Sequence, residues 1–242
     1  MKIKIIYIIL LAMSLSIYAQ NKFESDKIST SSGEIEMTFI GHGTLMFSCN
    51  GYIIHIDPVS QYAEYADMPK ADLILITHHH FDHMDKSAIE KIIKENTTII
   101  CSEICSKEID GIVLKNGDSK TIANIKIDAV PAYNLVHKRN NGEPFHPKGD
   151  GNGYVLTIDN KRIYVAGDTE NIPEMKDLKD IDIAFLPMNL PYTMTPEMVA
   201  DAAEMFNPKI LYPYHYGSTD PNKLVEIMKD KKDIEVRVRQ LQ

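Results

Sequence analysis

The densest chemistry in the chain lies in Thr77-His78-His79-His80-Phe81-Asp82-His83, where four of the nine histidines fall within six residues. Neutral imidazoles and carboxylates are the ligands that divalent transition metals take. In the pattern H-x-H-x-D-H, His78 and His80 can turn two rings onto one cation while Asp82 and His83 swing toward a second. His79 is the spacer and is expected to point away. The preceding run Leu73-Ile74-Leu75-Ile76 is short, continuously apolar and followed by a polar break, which predicts a buried strand. Asp85 then offers an N-cap, and Ala88, Ile89, Ile92 and Ile93 give the apolar face of a helix predicted over 86–95. The ligands thus sit at the C-terminal end of a strand, where open α/β sheets form their binding crevices. A surface turn or an adventitious histidine tract would lack that strand-to-helix setting.

The elements that must position this loop follow one another in two similar halves. Residues 34–40, 44–48 and 52–57 read as strands, the last two joined by the hairpin signal Asn50-Gly51, with Gly41-His42-Gly43 as a tight break and Asp57-Pro58 as the close. After the helix come a strand at 98–101, a helical stretch near 102–108, short strands around 112–114 and 120–122, and a strand at 125–130 ending at Pro131. The second half offers strands at 154–158 and 162–165, the latter running into Gly167-Asp168-Thr169, and a buried strand at 181–186. Thr195-Pro196 caps a helix that ends at Asn207-Pro208, a strand at 210–214 delivers His215, Asp220-Pro221 opens another helix, and 234–238 is a last strand.

Composition narrows the function classes. Lysines at 2 and 4, an apolar run from 5 to about 17 and Ala19 resemble a signal peptide over residues 1–19, too short an apolar run to span a bilayer. An exported protein, periplasmic or secreted and without a stable membrane span after cleavage, is the expectation, and residues 20–32, polar and rich in serine and lysine, read as a flexible lead-in. The remainder, 33–242, is long enough for one domain with a sizeable core. A formal net charge of −8 argues against nucleic acid as a partner. The three cysteines Cys49, Cys101 and Cys105 do not make a disulfide scaffold, and the latter two read as small buried apolar residues. There is no G-x-S-x-G motif for a serine nucleophile, and nothing specifies an oligomer.

Taken together, His78 to His83, Gly167-Asp168-Thr169, Tyr214-His215-Tyr216-Gly217 and Gly41-His42-Gly43 leading to Asp57-Pro58 resemble the metallo-β-lactamase superfamily, from about Gly33 to the C-terminus. Pro131-Ala132-Tyr133-Asn134, His146-Pro147-Lys148-Gly149 and Pro191-Tyr192-Thr193-Met194-Thr195 resemble, within it, small single-domain hydrolases of the L-ascorbate-6-phosphate lactonase branch and, more distantly, a lipid-cleaving phospholipase D. The resemblance implies an α+β fold, the four-layer αββα sandwich, with two divalent metal ions at one edge, zinc first and manganese or iron as alternatives. His78, His80 and a later histidine would hold one ion, Asp82, His83 and His215 the other, and Asp168 would bridge, with Asp82 and Asp168 serving the chemistry of a shared hydroxide nucleophile. The substrate would be a small-molecule ester, lactone or phosphodiester; a phosphodiesterase acting on lipids and a non-catalytic metal-binding protein are the alternatives.

The later histidine is His146 or His137, since both lie in the long loop before Gly153. Asn134 stands where relatives carry a histidine. His137 leads into the cationic run Lys138-Arg139-Asn140-Asn141-Gly142, whereas His146 is held between Phe145 and Pro147, so the reading selects His146. Asp57 is expected to fix a ligand or the backbone rather than bind metal. His42 could reach the pocket or merely cap its turn, Tyr133 and Tyr192 could rim the pocket, and His55 reads as structural.

Overall fold

A computed structural model describes residues 23–241. The first half forms one sheet in sequence order: β1 (Glu24–Ser29), β2 (Glu34–Gly41), β3 (Thr44–Cys49), β4 (Tyr52–Ile56), β5 (Leu73–Leu75), β6 (Thr98–Cys101) and β7 (Ile112–Val113). The second half forms its counterpart: β8 (Ser119–Ile122), β9 (Ile125–Ala132), β10 (Gly151–Ile158), β11 (Lys161–Val165), β12 (Ile183–Pro187), β13 (Ile210–Tyr214) and β14 (Glu235–Val236). In each sheet the first four strands are antiparallel and the last four parallel.

The continuous apolar run before the histidine cluster has a simple cause. Strand β5 faces two cores at once: Leu73 and Leu75 join the packing between the sheets, while Ile74 and Ile76 join the packing outside the first sheet. Each such fully buried side chain contributes roughly 1.5–3 kcal/mol of transfer free energy, so the strand that delivers the histidines is among the best anchored. Between the sheets, Phe39 and Phe47 of the first meet Phe185 of the second, ring centroids 6.2 and 5.8 Å apart, and Phe185 stacks on Tyr212 at 5.0 Å.

Helices cover the two outer faces. Helix α1 (Lys86–Ile92) is capped by the Asp85 carboxylate, which accepts from the Ser87 and Ala88 N–H groups, and buries Ala88, Ile89 and Ile92. Helix α2 (Pro196–Phe206) starts at the Thr195 cap and buries Val199, Ala202, Ala203 and Phe206, with Phe206 edge-on to Tyr164 of β11. Helix α3 (Asn222–Met228) completes that layer. The result is the expected αββα arrangement. No helix of the described residues is long and apolar enough to cross a membrane.

Four expectations are corrected. The flexible lead-in over 20–32 does not hold for Glu24–Ser29, which is the edge strand β1, paired from Glu24↔Phe39 to Ser29↔Glu34. Its stabilisation is tertiary: the Asp26 carboxylate accepts from Arg239 Nη2 at 2.7 Å and from the Tyr212 hydroxyl, on the other sheet. Residues 20–22 and the leader read at 1–19 lie outside the described residues. Strand β9 runs through Pro131, tolerated because β8 ends opposite Asp128 and β9 has a single neighbour there. The helix expected over 86–95 stops at Ile92, and the stretch near 102–108 is a single 3₁₀ turn, Cys105–Lys107. The three cysteines are free, and burial raises the Cys101 thiol to about 12, which makes it inert.

Candidate metal centre

Strand ends and loops from both sheets converge on one edge. His42 follows β2, Asp57 follows β4, Thr77 to His83 follow β5, His146 lies in the loop from β9 to β10, Asp168 follows β11 and His215 follows β13. His42, Asp57 and His215 each leave their strand in the left-handed region, at φ of 51°, 46° and 48°. For residues other than glycine that costs roughly 1–3 kcal/mol each, and here it turns side chains that would continue along a strand into the shared edge. Two backbone bonds tie the sheets together beside them: His215 N–H donates to the His42 carbonyl at 3.0 Å, and Asn152 N–H to the Thr77 carbonyl at 2.8 Å.

The ligand atoms form three overlapping groups: His78, His80 and His146; His78, His83 and Asp168; and His42, Asp82 and His215. In the first, His80 Nδ1 is 3.1 Å from His78 Nε2 and 3.2 Å from His146 Nε2, and Asp168 Oδ2 is 3.2 Å from His146 Nε2. On the other side, Asp168 Oδ1 is 3.4 Å from both His83 Nε2 and His215 Nε2, and Asp82 Oδ2 is 3.5 Å from His215 Nε2. Four ligands around one cation at ~2.0–2.1 Å sit about 3.3 Å from one another, close to the spacing of these pairs, while His78 Nε2 to Asp168 Oδ2 and His83 Nε2 to Asp82 Oδ2 are wider, at 3.9 and 4.0 Å. His83 Nε2, His215 Nε2 and Asp168 Oδ1 are buried with no hydrogen-bond partner. Orphaned buried polar atoms cost about 1–3 kcal/mol each, and three aimed at a common point fit a cation. The backbone is thinned to admit them: a Cβ on Gly43 would meet His83 Cε1 at 2.7 Å.

A surrounding layer fixes the His83 and His146 rings. Buried Asp57 accepts from Thr77 N–H at 2.8 Å, from the Thr77 hydroxyl at 2.6 Å and from His83 Nδ1 at 2.8 Å, which turns His83 Nε2 toward Asp168. Asp57 therefore orients the His83 ring. Asn134 does the same for His146: its Oδ1 accepts from the ring Nδ1 at 2.7 Å and from the backbone N–H at 2.8 Å. Glu170 anchors the loop, its buried carboxylate accepting from the N–H groups of Leu135, Val136 and His137, from Asn134 Nδ2 and from His137 Nδ1. Asn134 as an orienter and Glu170 were not singled out from the sequence, and Gly43 was read only as part of a tight turn. Glu170 directly follows the strand-end motif Gly167-Asp168-Thr169, the one signal that could have found it.

The electrostatics follow from crowding. Burial first, then the neighbouring His83, pushes the His78 imidazole well below its ordinary range, and burial with His146 lowers His80 to about 4. Burial alone would raise Asp168, yet His215, His83 and His146 hold it well below the carboxylate range; hydrogen bonds from His215 and His42 do the same for Asp82. His78 and His80 are thereby held as neutral rings, the form in which an imidazole binds metal, whereas His83, which burial alone would lower, is raised well above its ordinary range by Asp168 and Asp57.

His80, Asp82, His146, Asp168 and His215 open onto a cavity of about 390 Å³ that Arg139, Phe145, Asn189 and Tyr192 also line. His42 belongs with Asp82 and His215, its ring 3.7 Å from that of His215 and its Nε2 3.4 Å from Asp82 Oδ2. Tyr192 lines this cavity. Tyr133 is not among its lining residues: its hydroxyl donates to Glu174 at 3.0 Å, with Lys148 4.8 Å over the ring. His137 is turned to Glu170, 2.6 Å away. His79 joins none of the three ligand groups, and His55 is buried in β4 against the Pro69 carbonyl at 3.0 Å.

Comparison with known proteins agrees with this geometry. A UPF0173 metal-dependent hydrolase of Koribacter versatilis is 32% identical over 203 residues, 76% of this chain and 85% of that protein. A crystal structure from Parabacteroides distasonis, described as a candidate metal-dependent hydrolase, superposes with a TM-score of 0.87 and 54% identity over 91% of this chain and all of that one. Igni18, a metallo hydrolase of Ignicoccus hospitalis, shares the fold at 24% identity, TM-score 0.69, over 85% of this chain and 95% of its own. The β-lactamase superfamily domain matches residues 36–215, and the chain belongs to that superfamily.

Proposed function

We propose that the chain hydrolyses an ester, lactone or phosphodiester of a small molecule with two divalent cations, zinc being the best match to a histidine and carboxylate set and manganese or iron the alternatives. The carrying observation is the convergence of the orphaned atoms His83 Nε2, His215 Nε2 and Asp168 Oδ1. His78, His80 and His146 would hold one ion, and Asp82, His83 and His215 the other. Asp168 offers Oδ2 to the first group and Oδ1 to the second, which supports a bridging role. When bound, the ions supply Lewis acidity and bring the pKa of a coordinated water close to neutrality.

The protein's own part is to orient and to exclude. Asp57 and Asn134 hold the protons of His83 and His146 on Nδ1, leaving Nε2 free. The 1% exposure of His215 and 5% exposure of Asp168 keep bulk water from all but the cavity side, so the reacting groups interact at reduced dielectric. Elemental analysis of purified protein tests this: close to two transition-metal ions per chain are expected, together with turnover in a screen of lactone, thioester and phosphodiester substrates. Trace metal after reconstitution would overturn the dinuclear reading, and a loaded protein that turns over nothing would favour a metal-binding role.

A further inference from the structure

The turn that precedes His146 in the loop from β9 to β10 carries a cation that the hydrolytic chemistry leaves unused. Composition suggests that residues 138–142 are merely solvated, but the segment is ordered: Lys138 bridges Pro144, Arg139 N–H donates to the Glu143 carbonyl at 2.7 Å, and Gly142 N–H donates to the Arg139 carbonyl at 2.9 Å. The Arg139 guanidinium lies 5.3 Å from the Phe145 ring centroid and donates from Nη2 to the Phe145 carbonyl at 3.2 Å. That is its one side-chain bond among the described residues, and no ion pair there engages it. Phe145 directly precedes His146 in the chain, so this hydrogen bond ties the cation to the backbone that delivers a candidate metal ligand.

The wall around Arg139 is aromatic. Tyr192 meets Phe145 edge-on with centroids 5.1 Å apart, and both line the 390 Å³ cavity together with Arg139, His80, His146 and Asp168. Phe81, 82% exposed, stands at the same mouth. The whole chain carries a net charge of −8, so Arg139 is no part of a general basic surface. A guanidinium with free donors seats an oxyanion in a two-point fork. The cavity is lined by histidines and carboxylates on one side and by Phe81, Phe145 and Tyr192 on the other, so a cation on the aromatic side sets the orientation of what binds there.

We propose that the substrate is a small amphipathic oxyanion. Its carboxylate or phosphate sits on Arg139, its apolar arm lies against the wall that Phe145 and Tyr192 form together, and its scissile bond faces His80, His146 and Asp168. The inference rests on the hydrolase reading for the bond that is cut, not for the binding itself.

The test is binding to metal-loaded protein by titration calorimetry, using 4-phenylbutyrate, its neutral amide and 3-phenylpropyl phosphate as probes. Any contact between an oxyanion and the metals is common to parent and variant and cancels in the comparison. Arg139→Ala should weaken the preferred oxyanion about tenfold and spare the amide, Arg139→Lys should recover part of that loss, and Tyr192→Ala should weaken all three probes. The carboxylate and phosphate arms identify which oxyanion is preferred. Equal losses for oxyanion and amide in Arg139→Ala, no loss for either, or a parent that binds the amide as tightly as both anions would each overturn the proposal. Metal content and hydrolysis of neutral phenyl acetate, measured on the parent, decide the underlying hydrolase reading separately.

Discussion

Replacing Asp57 by asparagine isolates the orientation of one ligand without changing its neighbours' packing. The carboxylate accepts three hydrogen bonds, from Thr77 N–H, from the Thr77 hydroxyl and from His83 Nδ1. An amide has a single acceptor oxygen. If that oxygen keeps the Thr77 N–H, the NH₂ group faces Thr77 Oγ1 and His83 Nδ1; the hydroxyl can rotate to accept, but His83 can accept only by moving its proton to Nε2. That nitrogen lies 3.4 Å from Asp168 Oδ1 and is the one that should face the metal. Loss of such an outer partner typically costs 10- to 100-fold in metal affinity, about 1.4–2.8 kcal/mol. Chelator competition on the parent and Asp57→Asn proteins should show one of the two ions weakened by that factor, with the ion at His78, His80 and His146 released as in the parent. Unchanged affinity of both ions would refute the role given to Asp57, and a parallel loss of both would mean that the substitution disturbs the edge as a whole.

Three further outcomes follow. His146→Ala should lower metal content and abolish turnover, whereas His137→Ala should keep its metal and lose about 1–3 kcal/mol of stability because Glu170 loses a buried partner; elemental analysis and thermal melts separate the two. Metal-free protein should lose stability as pH falls: burial lowers His55 to about 4, so from about 6.5 down to 4 the unfolded chain takes a proton that the folded one refuses, a slope of about 1.4 kcal/mol per pH unit. In denaturant titrations across that range His55→Phe should flatten the slope, and an unaltered slope would remove His55 as its source. Export should leave a mature N-terminus at Gln20, and mass spectrometry of native protein finding residues 1–19 still attached would favour an anchor.

What could be read from the sequence was whatever repeats locally or sits against a strand end. The H-x-H-x-D-H loop was legible because β5 is buried on both faces and so shows as an unbroken apolar run. His146 was separable from His137 because Phe145 and Pro147 restrict it, while His137 heads a polar run. The partners that orient these ligands left no such trace. Glu170 reaches backbone N–H groups more than thirty residues away, and Asn134 looked like a lost ligand until its contact with His146 was seen. Strand β1 was missed for a related reason: its polar sequence does not bury an apolar face, and Asp26 finds its arginine 213 positions away. Tyr133 shows the converse error, since a motif placed it near the loop but Glu174 and Lys148 take its ring elsewhere.

Each of the three ligand groups draws on both sheets: His146 completes the pair His78 and His80, Asp168 completes His78 and His83, and His215 completes His42 and Asp82. Neither half of the polypeptide owns a site. Bound ions would therefore be clasps across the seam between the halves, adding about 2.7 kcal/mol to their docking for every site held at a hundredfold excess over its dissociation constant. The order of synthesis adds a constraint, because His146, Asp168 and His215 all follow the H-x-H-x-D-H loop in the chain. While the ribosome is still making the second sheet, the H-x-H-x-D-H loop exists without its counterparts and has nothing with which to enclose a cation. Metal capture is then a late event, since no group is complete until the residue from the second sheet, His146, Asp168 or His215, has joined the pair from the first.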